Sequence, residues 1–207
     1  NLPLETYYVR CPEGRLTSAV ALEQINLLLH QTSDNTEISE QLHSLKQAIK
    51  TATVFLFILS HSDDVEVNSI HYEGPGNIKE LFSRNIANIR RLSFEENLNN
   101  LNQIINLLKS NSKCSKVILA VSPSPLVASH TGKPCLVESL TSKSRLSEAM
   151  KSVAEQRRNE NVYYFPSLEF IQYYPGNAYA DDMRHLSEAA QKDFIAAFAC
   201  FCNMHSP

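Results

Sequence analysis

Asp182-Met183-Arg184-His185, near the C-terminus, sets a carboxylate three residues ahead of an imidazole. A short turn of that kind folds the Asp182 carboxylate back onto the His185 ring. A carboxylate that holds one ring nitrogen leaves the other free to accept a proton from a hydroxyl nucleophile. Two members of a hydrolytic triad can therefore come from four consecutive residues. The third, a serine, has to be found elsewhere.

Three short apolar runs supply the frame for such a site: Thr53–Leu59, Lys116–Val121 and Asn161–Phe165. They are too short and too continuous for surface helices, and read as strands buried on both faces of a parallel sheet. Helical patterns alternate with them. Val20 to Leu29 suggests an N-terminal helix, and Ile38, Leu42, Leu45 and Ile49 form a stripe before the first strand. Ser93-x-x-Glu96 is a capping box that opens a helix carrying Leu98, Leu101, Ile105 and Leu108. Leu146, Ala149, Met150, Val153 and Ala154 mark another helix. Ser187 caps a last one, with Ala190, Phe194, Ala197, Phe198 and Phe201 on its inner face. This rhythm predicts a three-layer α/β domain over residues 1–207, with residues 1–44 as an N-terminal helical extension. Ser60–Arg90 and Ser122–Ser142 read as long irregular excursions.

In open α/β sheets the site lies outside the carboxyl ends of the strands. That rule gathers Ser60-His61-Ser62-Asp63-Asp64, Ser122-Pro123-Ser124-Pro125 and the Asp182/His185 turn into one place. The candidate site is therefore His185 and Asp182 for chemistry, with Ser122, Ser60 and Asp63 lining the pocket.

The bulk properties exclude several classes. A chain of 207 residues with 43% hydrophobic and 20% charged residues suits one soluble domain with a sizeable core. A net charge of −3 without a Lys/Arg block gives no sign of nucleic-acid binding. No apolar run is long enough to span a bilayer. Cys11, Cys114, Cys135, Cys200 and Cys202 are odd in number and irregularly spaced. They argue for a reducing, intracellular compartment rather than a disulfide framework. Cys200-x-Cys202 reads as buried thiol rather than metal ligand, because i and i+2 do not share a helix face. No Gly-x-Gly-x-x-Gly or P-loop is present, and no cofactor or metal is expected.

Several segments, in order, resemble the GSCFA family, a branch of the SGNH-type hydrolases. They are Ile89–Asn97, Leu119–Leu126 with its Ser-Pro-x-Pro, Thr141–Leu146 with Ser-Lys-Ser at a helix start, Tyr163–Glu169, and Tyr179–His185. The resemblance covers roughly Leu45 to Phe198. It implies a flavodoxin-like sheet and hydrolysis of an ester by a serine nucleophile, with His185 as general base and Asp182 orienting it. The Ser122-Pro123 turn would shape the pocket.

Two departures qualify that implication. The family's name-giving Gly-Ser-Cys-Phe-Ala motif, which carries the nucleophile on the first strand, does not occur. The run ending Ile58-Leu59-Ser60-His61 looks like a later Leu-Gly-x-x-Glu element, with Ser60 in place of glycine and Asp63 near the acidic position. Either the nucleophile strand lies outside these residues or the protein has lost it. Ser60 and Ser122 follow buried strands but sit in no nucleophile elbow, and Pro123 removes one backbone donor an oxyanion would use. Lys143 reads as a solvated lysine. His61 beside Asp63 and Asp64 reads as an exposed polar loop, as do His71 and Glu73. Tyr163, Tyr164 and Phe165 read as packing.

The resulting expectation is a partial or degenerate SGNH/GSCFA-like domain serving as a structural or interaction subunit. A partner protein or a missing N-terminal segment would cover its sheet edge. The alternative is a serine esterase or acyl-transfer enzyme acting on a small ester, in which an Asp182–His185 dyad works with a serine outside these residues. A natural start at Asn1 would argue against that alternative.

Overall fold

The computed structural model describes residues 17–30, 36–67, 70–71, 87–126 and 133–205. Its central sheet has strands β1 (Val54–Leu59), β5 (Lys116–Val121) and β6 (Val162–Phe165), all parallel, in the order β1-β5-β6. Between β1 and β5 come a second small sheet and α3 (Phe94–Asn111). α4 (Cys135–Gln156) connects β5 to β6. α1 (Ser18–His30) and α2 (Thr36–Thr51) precede the sheet. α5 (Ser167–Gln172) and α6 (Glu188–Met204) follow it.

The alternation of side chains along β5 divides the core in two. Val117, Leu119 and Val121 face a large cluster that takes Val20 and Ile25 from α1 and Leu101, Ile104, Ile105 and Leu108 from α3. α4 adds Leu146, Ala149, Met150 and Val153 to it. Ile118 and Ala120 face the other way, with Phe165, toward Phe194, Phe198 and Phe201 of α6. Phe165 meets those three rings edge-on, at centroid distances of 5.4, 5.1 and 5.2 Å. Helices thus cover both faces, giving the expected three-layer, flavodoxin-like arrangement. Among the described residues β1 is hydrogen-bonded to β5 alone, and its Ile58 is 38% exposed.

The capping box at Ser93 forms as read: its hydroxyl accepts the Glu96 N–H at 3.0 Å, and Glu96 accepts the Ser93 N–H at 2.7 Å. Ser187 caps α6 by accepting the Ala190 N–H at 3.3 Å.

Several expectations need correction. The Ser60–Arg90 stretch is not all irregular. β2 (Asp63–Val67) pairs antiparallel with β3 (Ile70–His71) and β4 (Ala87–Arg91). Charges on β2 hid this strand, but Asp63 lies opposite Arg91 in register and the two form a cross-strand ion pair. Glu73 lies outside the described residues, as does the side chain of His71. His61 and Asp64 are buried, at 4% and 0% exposure, rather than in an exposed loop. Cys200 is exposed, whereas Cys202 is half-buried against the cluster that the α6 phenylalanines join, so the pair is not one buried thiol site. Finally, α4 begins at Cys135, so Ser142-Lys143-Ser144 is helix interior rather than helix start.

Candidate functional site

The Asp182–His185 turn is built by its flanks. Tyr179 and Leu186 form an antiparallel bridge. Ala180 donates its N–H to the His185 carbonyl at 2.8 Å, and Ser187 donates to Ala178 at 2.9 Å. Within this loop Met183 N–H closes a turn on the Ala180 carbonyl at 2.9 Å. Met183 takes a left-handed φ of 53°, a conformation that costs a β-carbon-bearing residue roughly 1–2 kcal/mol and is held by the surrounding bonds.

The geometry delivers the dyad. Asp182 Oδ1 accepts the backbone N–H groups of Arg184 at 3.0 Å and His185 at 2.9 Å, while Oδ2 lies 2.5 Å from His185 Nδ1. The bond to the His185 ring, then the two backbone donors, hold the Asp182 carboxyl down to about 2. It is ionised at neutral pH and can only accept, so Nδ1 carries the proton and Nε2 of the neutral ring is the acceptor. The His185 side chain is 72% exposed and its one ring hydrogen bond among the described residues is to Asp182.

Ser60 and Ser122 are brought together by a residue read as solvated. Lys143, on α4, is 2% exposed, and its ammonium donates to the Ser60 carbonyl at 2.8 Å and the Ser122 carbonyl at 2.5 Å. Burial pushes its pKa down to about 7. Ser60 itself is buried, at 8% exposure.

Asp63 turns to a different cluster. Both its oxygens accept from Arg91, at 2.5 and 3.1 Å, and Arg91 also donates to buried Glu138 of α4 at 2.7 Å. The hydrogen bond that Arg91 donates to Asp63 is the main cause that raises its pKa further.

One face of α4 organises this end of the sheet. Besides Glu138 and Lys143, Ser139 accepts the Leu126 N–H at 3.2 Å and Ser142 accepts the Ser62 N–H at 2.6 Å. Ser147 bonds the Tyr164 hydroxyl at 2.9 Å. The helical spacing of Glu138, Ser139, Ser142, Lys143 and Ser147 puts them on the same face as Leu146 and Met150, a signal present in the sequence. Meanwhile Leu136, Val137 and Leu140 are exposed at 68%, 54% and 45%.

Tyr179 connects the two halves. Its hydroxyl donates to the Pro123 carbonyl at 2.9 Å, and burial raises its pKa, which keeps it a donor. Elsewhere, a cavity of about 430 Å³ runs beside β6, lined in part by Lys151, Tyr163, Tyr164, Glu169 and His205, and includes neither dyad residue. Among the described residues no cluster of His, Cys, Asp or Glu could hold a metal ion, and no helix is long and apolar enough to cross a membrane.

Compared with known families, the chain matches the GSCFA family over residues 17–198. A search of curated proteins finds no match.

Proposed function

The chain belongs to the GSCFA family, and on that footing we propose that Asp182 and His185 form the general-base half of an SGNH-type ester-hydrolase site, completed by a serine outside the described residues. The observation that carries this reading is the 2.5 Å contact between His185 Nδ1 and an ionised Asp182, which leaves Nε2 as acceptor. In the reaction Nε2 takes the serine hydroxyl proton as the oxygen attacks an ester carbonyl. It then returns that proton to the leaving alkoxide, leaving an acyl-serine. A water deprotonated by the same Nε2 cleaves this to the free acid as the proton returns to the serine oxygen. Asp182 stabilises the imidazolium that forms in each stage. In this reading Ser122 and Ser60 flank the site at the ends of β5 and β1, with their carbonyls held by Lys143, and the Asp63 carboxylate is taken up by Arg91.

The test is hydrolysis of a nitrophenyl acetate by the full natural polypeptide, with His185→Ala as control. Activity that disappears in the variant supports the reading; activity unchanged by the substitution, or none, rejects it.

A second reading, a non-catalytic subunit that keeps the fold, is favoured by β1. Among the described residues that strand is paired on one side only. A strand from a partner or from another part of the polypeptide would cover such an edge.

A further inference from the structure

We infer that Lys143 and Tyr179 are positioning residues of the candidate site: together they fix the chain after β5 and hang the Asp182–His185 turn from it. The inference rests on the hydrolase reading for its catalytic consequence, although the geometry stands without it.

Three successive carbonyls leave the end of β5, and each has a named donor. Ser167, the first residue of α5, donates to Val121 at 2.6 Å. Lys143 donates to Ser122 at 2.5 Å, and Tyr179 donates to Pro123 at 2.9 Å. The Ser122 N–H is also used, donating to the Leu59 carbonyl at 2.7 Å. A proline in this segment removes one backbone donor, so the segment cannot complete its own turn and takes its partners from side chains.

Lys143 adds a cross-tie, because it also holds Ser60 after β1. A buried amino group is costly unless its protons are accepted, so its site selects a fixed spacing between the two strand ends. Tyr179 then transmits that position. It is bridged to Leu186, beside His185, and the Asp182 turn lies wholly between these two. The dyad's internal geometry is local; Tyr179 ties its turn to the segment after β5, while α6, capped by Ser187 and packed on Phe165, anchors the other side.

The test uses Tyr179→Phe, which deletes only the hydroxyl, and Lys143→Met, which keeps an unbranched apolar stem and deletes the amino group, in the full natural polypeptide. Expected for Tyr179→Phe is a kcat for nitrophenyl acetate lowered 10- to 100-fold, with KM within twofold. Amide exchange at Ala180 and Ser187 should quicken at least tenfold, while the His185 Nδ1–H resonance is retained. Lys143→Met should quicken exchange at Ser122. Tyr179→Phe with kcat and exchange both unchanged, beside an inactive His185→Ala, overturns the inference. Should the wild type show no His185-dependent hydrolysis, only the hydrolase reading falls. Exchange at Ala180 and Ser187 in Tyr179→Phe then decides the positioning role by itself. Were Lys143→Met unable to fold, the Tyr179→Phe result would carry the decision.

Discussion

His185 is held through two of its atoms by one carboxylate: Asp182 Oδ2 meets its ring at 2.5 Å and Oδ1 accepts its backbone N–H at 2.9 Å. Ring orientation and turn geometry are therefore set by the same side chain. Asp182→Asn keeps an acceptor for the backbone but loses the charge that fixes the tautomer. It is expected to reduce His185-dependent ester hydrolysis roughly 10²–10⁴-fold. The fold should be unaffected, as circular dichroism would check.

The same pairing predicts an acid limit. The folded-state pKa of Asp182 is lowered to about 2, against about 3.9 for an unperturbed aspartate. A depressed carboxyl contributes stability that is present above the unfolded value and is lost as pH falls through the folded one. The turn should therefore hold at pH 5 and loosen between about pH 4 and 2. Carbon-13 titration of the carboxyl measures this, and His185→Ala should move the midpoint upward. An unmoved midpoint would contradict the assigned cause.

Lys143 has the opposite chemistry and its own pH window. Burial lowers its folded pKa to about 7, against about 10.4 when exposed. Between those values the unfolded chain binds the extra proton, so stability rises with pH. The slope is at most about 1.4 kcal/mol per pH unit. Denaturant unfolding at pH 7 and pH 9 should show that gain in the wild type and not in Lys143→Met.

Arg91 serves two carboxylates, Asp63 and the 3%-exposed Glu138. Arg91→Leu leaves both without it and is expected to cost about 3–5 kcal/mol, the range for breaking a buried pair from one side. Arg91→Lys should recover only part, since one ammonium cannot reproduce the guanidinium fork on Asp63. Chemical denaturation of the two variants distinguishes them.

Phe165 fastens α6 to the sheet through three edge-on ring contacts. Phe165→Ala should cost about 3–5 kcal/mol. Because these rings form a cluster separate from the larger core, α6 should lose amide protection first. α3, on the other side of the sheet, should remain protected.

What was legible in the sequence was what depends on near neighbours. The strand runs Val54–Leu59, Lys116–Val121 and Val162–Phe165 were readable because burial on both faces demands continuous apolar residues. The Ser93 and Ser187 caps and the Asp182–His185 turn were readable because their partners lie three residues apart. The rule for open sheets grouped Ser60 with Ser122, and the carbonyls of these two are held by one lysine, Lys143. The first half of α4 was misread because its polarity is inverted: Leu136, Val137 and Leu140 face outward, while Glu138, Ser139, Ser142 and Lys143 face inward. That inversion has no local cause. The carbonyls and N–H groups left at the ends of β1 and β5 need partners, and only the folded chain brings a helix carrying them. The partners of Lys143, and the bond from Tyr179 to Pro123 across 56 positions, were therefore decided by tertiary structure alone.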